Sequence, residues 1–187
     1  MKPRTVFGAI AITLAIAVAP FLSLAQTPQP YAGLQTRPIK ALSEEQVADL
    51  KAGRGMGLAL AAELNGYPGP THVLELAESL MLSDAQRAAV QALFESMKAE
   101  TVPLGEKLIA QETDLDRQFV EKTVSEASLE SATQAIGATQ AALRAAHLKF
   151  HLATIKVLAP AQVQRYVELR GYASGTHAVP QQGSHKH

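Results

Sequence analysis

Among its 187 residues the chain has no cysteine and no tryptophan, and aromatic residues make up only 5% of it. Without cysteine there is no disulfide scaffold, no thiolate zinc centre, no cysteine nucleophile and no lipid-modified N-terminal cysteine. An excess of either charge is lacking too, since 17 lysines and arginines face 17 aspartates and glutamates. A neutral chain has no broad basic face with which to displace counterions, so nucleic acid is not an expected partner. No GxxxxGK, HExxH or GxSxG occurs, which removes the usual signatures of nucleotide, zinc-peptidase and serine-hydrolase chemistry. The run Gly53-Arg54-Gly55-Met56-Gly57 is glycine-rich, but no strand precedes it to make a phosphate loop. Its glycines read instead as backbone that lets two helices approach closely. Paired acids such as Asp114 and Asp116 read as a solvated helix face, and nothing indicates an enzyme.

What is present is apolar and helix-forming. Hydrophobic residues are 47% of the chain, rich in alanine, the best helix former. The length suits one domain with tails. Lys2 and Arg4 precede an apolar run from Val6 to Ala19, and Ser23-Leu24-Ala25 offers the small residues a signal peptidase reads. Residues 1–25 are therefore expected to be an export signal cleaved before Gln26, with an uncleaved membrane anchor as the alternative. Cleavage leaves a nearly neutral chain working outside the cytoplasm, where there is no ATP. Residues 26–41, with Pro28, Pro30 and Pro38, read as a disordered linker, and 173–187 as a disordered, histidine-containing tail. The folded body is then 42–172.

That body is punctuated by one signal. Leu42-Ser43-Glu44-Glu45-Gln46 and Leu82-Ser83-Asp84-Ala85-Gln86 each place a serine three residues before a glutamine, a capping box opened by a leucine set for a hydrophobic staple. Leu158-Ala159-Pro160-Ala161-Gln162 lacks the hydroxyl but puts proline at the first helical position. Asn65 to Pro70 is a firm break, followed by a short helix over 72–81. From Asp84 to Lys122 the residues Val90, Leu93, Phe94, Met97, Leu104, Leu108, Leu115 and Phe119 recur at helical spacing, with Pro103 expected to bend the helix. Ser125 caps a second long helix, Glu126 to Val157, with Leu129, Ile136, Leu143, His147, Phe150 and Val157 on one stripe. No segment alternates with period two. The expected fold is all-α: a long antiparallel helical hairpin with shorter flanking helices.

An export signal, a small cysteine-free helical body and leucine-hydroxyl-x-x-glutamine at helix starts together resemble the Spy/CpxP family, whose hallmark is an LTxxQ motif, and the related heavy-metal resistance and sensor proteins. The likeness spans residues 42–172. It rests on Leu42, Ser43 and Gln46, on Leu82, Ser83 and Gln86, and on Leu158 and Gln162, where Ala159 departs from the motif. The resemblance implies a non-enzymatic periplasmic stress protein. Spy-like members form helical dimers that hold unfolding clients without ATP, while others bind zinc, copper, nickel or cobalt, or restrain a membrane sensor kinase.

Three roles follow for this chain. A holding chaperone, the leading one, needs an adaptable surface with apolar spots rimmed by charge, acting on unfolded or aggregating periplasmic proteins as a homodimer and requiring no cofactor. A metal-binding sensor or resistance protein would use His147 and His151, four apart and so on one helix face. Its further ligands are not local: Glu63, Glu75 or Glu100 from another helix, or residues of a partner subunit, are the alternatives. His177, His185 and His187 in the tail form a weaker metal candidate. His72 reads as a surface residue, and Met56, Met81 and Met97 as ordinary core rather than a copper site. The third role is an adaptor docking on a sensor kinase.

Overall fold

The computed structural model describes residues 29–174. The export segment 1–25, with its cleavage site, and His177, His185 and His187 lie outside the described residues. Among the described residues, 33–174 form one unit, and all regular structure is helical. The elements are α1 (Glu44–Ala52), α2 (Leu60–Glu63), α3 (Pro70–Glu75), α4 (Asp84–Val120), α5 (Glu126–Thr154) and α6 (Pro160–Leu169). Short 3-10 turns lie at Leu34–Thr36 and Tyr172–Ser174. No helix of the described residues is long and apolar enough to cross a membrane.

The 37-residue α4 and the 29-residue α5 pack antiparallel as the frame of the fold. Each begins at a serine whose hydroxyl accepts an N–H three residues on, while the residue there returns a bond to the serine N–H. Helix α4 runs on through Pro103, whose ring cannot bond the Ala99 carbonyl. Both residues are exposed, so water can take the freed carbonyl. The buried positions of α5, Ile136, Thr139, Leu143, Ala146, His147, Phe150, His151 and Thr154, fall on one face at helical spacing. The expected hairpin is the observed one.

Two apolar clusters lie along it. One, Val73, Ala77, Leu80, Leu82, Val90, Leu158 and Tyr166, joins α3, the start of α4 and α6. The other, Leu50, Leu108, Ile136 and Leu143, seats α1 on the hairpin. Helix α1 comes close because Gly105 lies where it crosses α4, and it stops at Gly53 in the left-handed region, φ 66°. A band of buried polar residues, Thr101, His147, His151 and Glu63, lies outside both clusters, with the buried Met97, Ala146 and Phe150 beside it on the same long helices. Thr101 Oγ1 donates to the Met97 carbonyl at 2.9 Å and so satisfies itself within its own helix.

Some elements differ from the sequence reading. The expected helix over 72–81 is helical only over Pro70–Glu75 and continues as turns. Where composition suggests a disordered linker, the stretch from Gly33 takes a definite course: Leu34–Thr36 forms its turn, Ile39 is buried, and Lys40 Nζ pairs with Asp116 Oδ2 at 3.2 Å. Of the three methionines read as core, only Met97 is buried; Met56 is partly exposed and Met81 is 85% exposed. Both exposed ones have left-handed backbone, φ 44° and 50°, and lie in turns that point their side chains outward. The apolar stripes also run out at the hairpin tip, where Phe119, Val120 and Leu129 are exposed.

Candidate functional site

The glutamines of two of the three capping segments meet. Gln86 Nε2 donates to Gln162 Oε1 at 2.8 Å and to the Val157 carbonyl at 2.9 Å. Gln162 Nε2 donates in return to Gln86 Oε1 at 3.0 Å and to the Leu80 carbonyl at 3.1 Å. Each Oε1 also accepts the N–H at its own helix start, Ser83 or Ala159. The pair is a reciprocal amide clasp between the N-termini of α4 and α6, with Leu82 and Leu158 buried together beside it. Ala159 has no side-chain oxygen, so α6 keeps only the glutamine half of its box. The first segment stands apart: Ser43 and Gln46 cap α1 reciprocally at 2.8 and 3.1 Å, and Leu42 packs on the α1 cluster.

These motif residues therefore hold the fold together. Gln162→Ala strands the Leu80 carbonyl, the Ala159 N–H and half of the Gln86 amide, and is expected to cost about 2 kcal/mol. Gln46→Ala removes a solvated cap alone and should cost roughly 0.5–1 kcal/mol. Urea denaturation of the two variants checks the order.

The polar band of the hairpin opens on a cavity of about 570 Å³ between the α1–α2 loop, α3, α4 and α5. His147 and His151 both line it, one turn apart on α5 as their spacing requires. The glycine loop is shaped around them. A Cβ at Gly69 would lie 2.8 Å from the His151 ring, and one at Gly55 would lie 3.6 Å from His147 Nδ1. His151 Nδ1 lies 2.6 Å from the Tyr67 carbonyl oxygen. A carbonyl only accepts, so Nδ1 carries the proton.

Of the three acids, only Glu63 approaches this pair, and it does so at His151. Its Oε2 is 3.8 Å from His151 Nδ1, whereas Glu75 pairs with His72 at 2.8 Å and Glu100 pairs with Lys149 across the hairpin. The other oxygen of Glu63 ties down the C-terminal region. Oε1 accepts from the Tyr166 hydroxyl at 2.5 Å and the Tyr172 hydroxyl at 3.2 Å, with Arg170 Nε at 3.5 Å. Burial, and then the hydrogen bond to this carboxylate, push the Tyr166 phenol far up, so it stays a donor. Tyr166, Tyr172 and Arg170 do not emerge from the sequence reading. The only signal is the four-residue spacing of Tyr166 and Arg170 from Gln162; Tyr172 lies beyond α6 in its 3-10 turn, and nothing local names a partner 103 residues away from Tyr166.

Two atoms in this cluster, Glu63 Oε2 and His147 Nε2, are buried without a hydrogen-bond partner. As a metal site the arrangement falls short. A transition-metal centre takes three or four protein ligands, and the described residues hold no group of three or more His, Asp or Glu side chains placed to bind an ion. No family model, no curated protein and no solved structure matches the chain.

Burial, and next the neighbouring His151, push the His147 pKa down from 6.5. The imidazole is then neutral when folded at a pH where the unfolded chain binds a proton. Its contribution to stability is complete above pH 6.5 and is lost as pH falls from there through the folded-state value. His147→Gln should flatten that acid-side slope in thermal melts recorded between pH 7 and pH 5.

Proposed function

We propose that the chain is an exported, non-enzymatic holding chaperone of the Spy/CpxP type, acting on unfolding periplasmic proteins without ATP. The supporting observation is the large apolar side chains left to solvent in one consecutive stretch: Met56, Leu60, Leu64 and Tyr67, with Leu60 53% exposed. Contiguous apolar surface rimmed by charge is what a client-holding protein needs. Asp49 and Arg54, paired at 2.5 Å, and Lys98 supply that rim beside Leu60. The exposed Phe119, Val120 and Leu129 at the hairpin tip offer a second spot.

The test is light scattering of an aggregating model client, with and without the chain from Gln26 onward, in chelator. Suppression at near-stoichiometric ratios is expected, and Leu60→Ser with Leu64→Ser should weaken it severalfold while leaving the fold intact. No suppression in chelator sinks the reading.

A second reading, divalent-metal binding at His147 and His151, draws on the buried, unpartnered His147 Nε2 and on the Nδ1–H bond from His151 to the Tyr67 carbonyl, which leaves His151 Nε2 as its ligating nitrogen. Its signature is a metal-dependent rise in melting temperature that His147→Ala removes.

A further inference from the structure

The charged groups around the cavity beside Leu60 are paired, with one exception. The acids that line it are Asp49, Glu63 and Glu75. Asp49 meets Arg54 at 2.5 Å, Glu75 meets His72 at 2.8 Å, and Glu63 lies 3.5 Å from Arg170. Lys98 lines the cavity too, and among the described residues no acid stands within ion-pair distance of its ammonium. Its Nζ lies instead over the Phe94 ring, 5.8 Å from the ring centre. Phe94 is itself part of the wall, so the free charge stands at the edge of the cavity. Lys98 is exposed, and an anion reaches it while keeping part of its own water.

The wall that continues from Phe94 is apolar, with Ala52, Ala59, Leu60 and Met97 in it. Leu60 is 53% exposed, so this wall is open to an entering molecule. A space of about 570 Å³ with apolar sides and few polar groups suits a small molecule. A cationic ligand would find every lining acid already partnered, and would stand against Lys98. A doubly charged anion would leave one charge unmatched. The remaining choice is an apolar body with a single negative charge.

We propose that this cavity binds a small apolar acid, its body against Phe94, Met97 and Leu60 and its carboxylate beside the Lys98 ammonium. Apolar burial supplies most of the affinity, and the ion pair, at an exposed cation, adds a preference of a few fold. This goes beyond the holding-chaperone reading and does not rest on it.

The experiment is calorimetric titration of the chain from Gln26 onward, which contains the whole described unit, in chelator and at low salt. The probes are octanoate, octanamide and octylammonium, equal in chain length and different in charge. Saturable one-to-one binding is expected, octanoate about threefold to fivefold tighter than octanamide and octylammonium the weakest. Molar salt should shrink the octanoate advantage, because the cation is exposed and screened. Lys98→Gln, at an exposed position of α4 without an ion pair, should melt as the parent does and bind octanoate no better than octanamide. Lys98→Arg should keep the preference, and Leu60→Ser should weaken all three probes alike. The proposal is overturned if octanoate does not saturate the protein, if octanamide or octylammonium binds as tightly, or if the preference survives Lys98→Gln. Heat of binding reads these outcomes whether or not the chain suppresses aggregation, so this proposal and the chaperone reading fail separately.

Discussion

Gly105→Ala is expected to destabilise the protein by about 3 kcal/mol, although the same change in an exposed helix interior normally stabilises by up to about 1 kcal/mol. The sign is reversed by what lies over the glycine. A Cβ built at Gly105 would sit 2.9 Å from the Leu50 carbonyl carbon and closer still to its oxygen. These are backbone atoms of α1, which cannot swing aside as a flexible side chain would. Helix α1 must therefore lift off α4, and it takes Leu50, only 2% exposed, out of its cluster with Leu108, Ile136 and Leu143. Gly137 provides the control inside the same hairpin, since a Cβ there meets nothing within 4 Å. Gly137→Ala should stabilise by roughly 0.5–1 kcal/mol. Urea denaturation of both variants reads the two signs, and a stabilised Gly105→Ala would mean that α1 does not pack here as described.

Gly105 also marks where sequence stops informing. Its place in an unbroken helical pattern says nothing of a second backbone passing over it. The hairpin, by contrast, is readable, because hydrophobic period and serine caps are local properties. The same division runs through the candidate site. His147 and His151 can be paired from spacing alone, since four residues make about one helical turn. Glu63 can be named only beside Glu75 and Glu100, because the choice among acids is made by a tertiary arrangement that also gives Lys149 and His72 their partners. The glutamines of the capping segments are an intermediate case. Their reach back to the helix start is local and legible; the clasp from Gln86 to Gln162, 76 residues apart, is not. Met56 and Met81 go the other way, because hydrophobic identity predicts burial only where the backbone stays on the core face.

Glu63→Ala is expected to cost about 2–4 kcal/mol, although Glu63 belongs to the one-turn helix α2. Its weight comes from what depends on it. Tyr166 is wholly buried, 0% exposed, and its hydroxyl donates to Glu63 Oε1; with the carboxylate gone, that donor is left unpaired in the core at about 1–3 kcal/mol. Arg170 is 31% exposed at its side chain and can turn to water, so its share is roughly a few tenths of a kcal/mol. The Tyr172 hydroxyl, half-buried, loses a bond as well. Tyr166→Phe deletes the donor instead, and Glu63 keeps Tyr172 and Arg170, so the expected loss is smaller, about 1–2 kcal/mol. The pair together should then cost less than the two singly, by about 1 kcal/mol or more, because a phenylalanine in place of Tyr166 leaves no orphaned hydroxyl for the missing carboxylate to strand. A double-mutant cycle by urea denaturation measures this, and hydrogen exchange should show α6 opening first in Glu63→Ala. Strict additivity would mean that the hydroxyl and carboxylate do not interact, and that α6 is held by the Val73–Tyr166 cluster and the glutamine clasp alone.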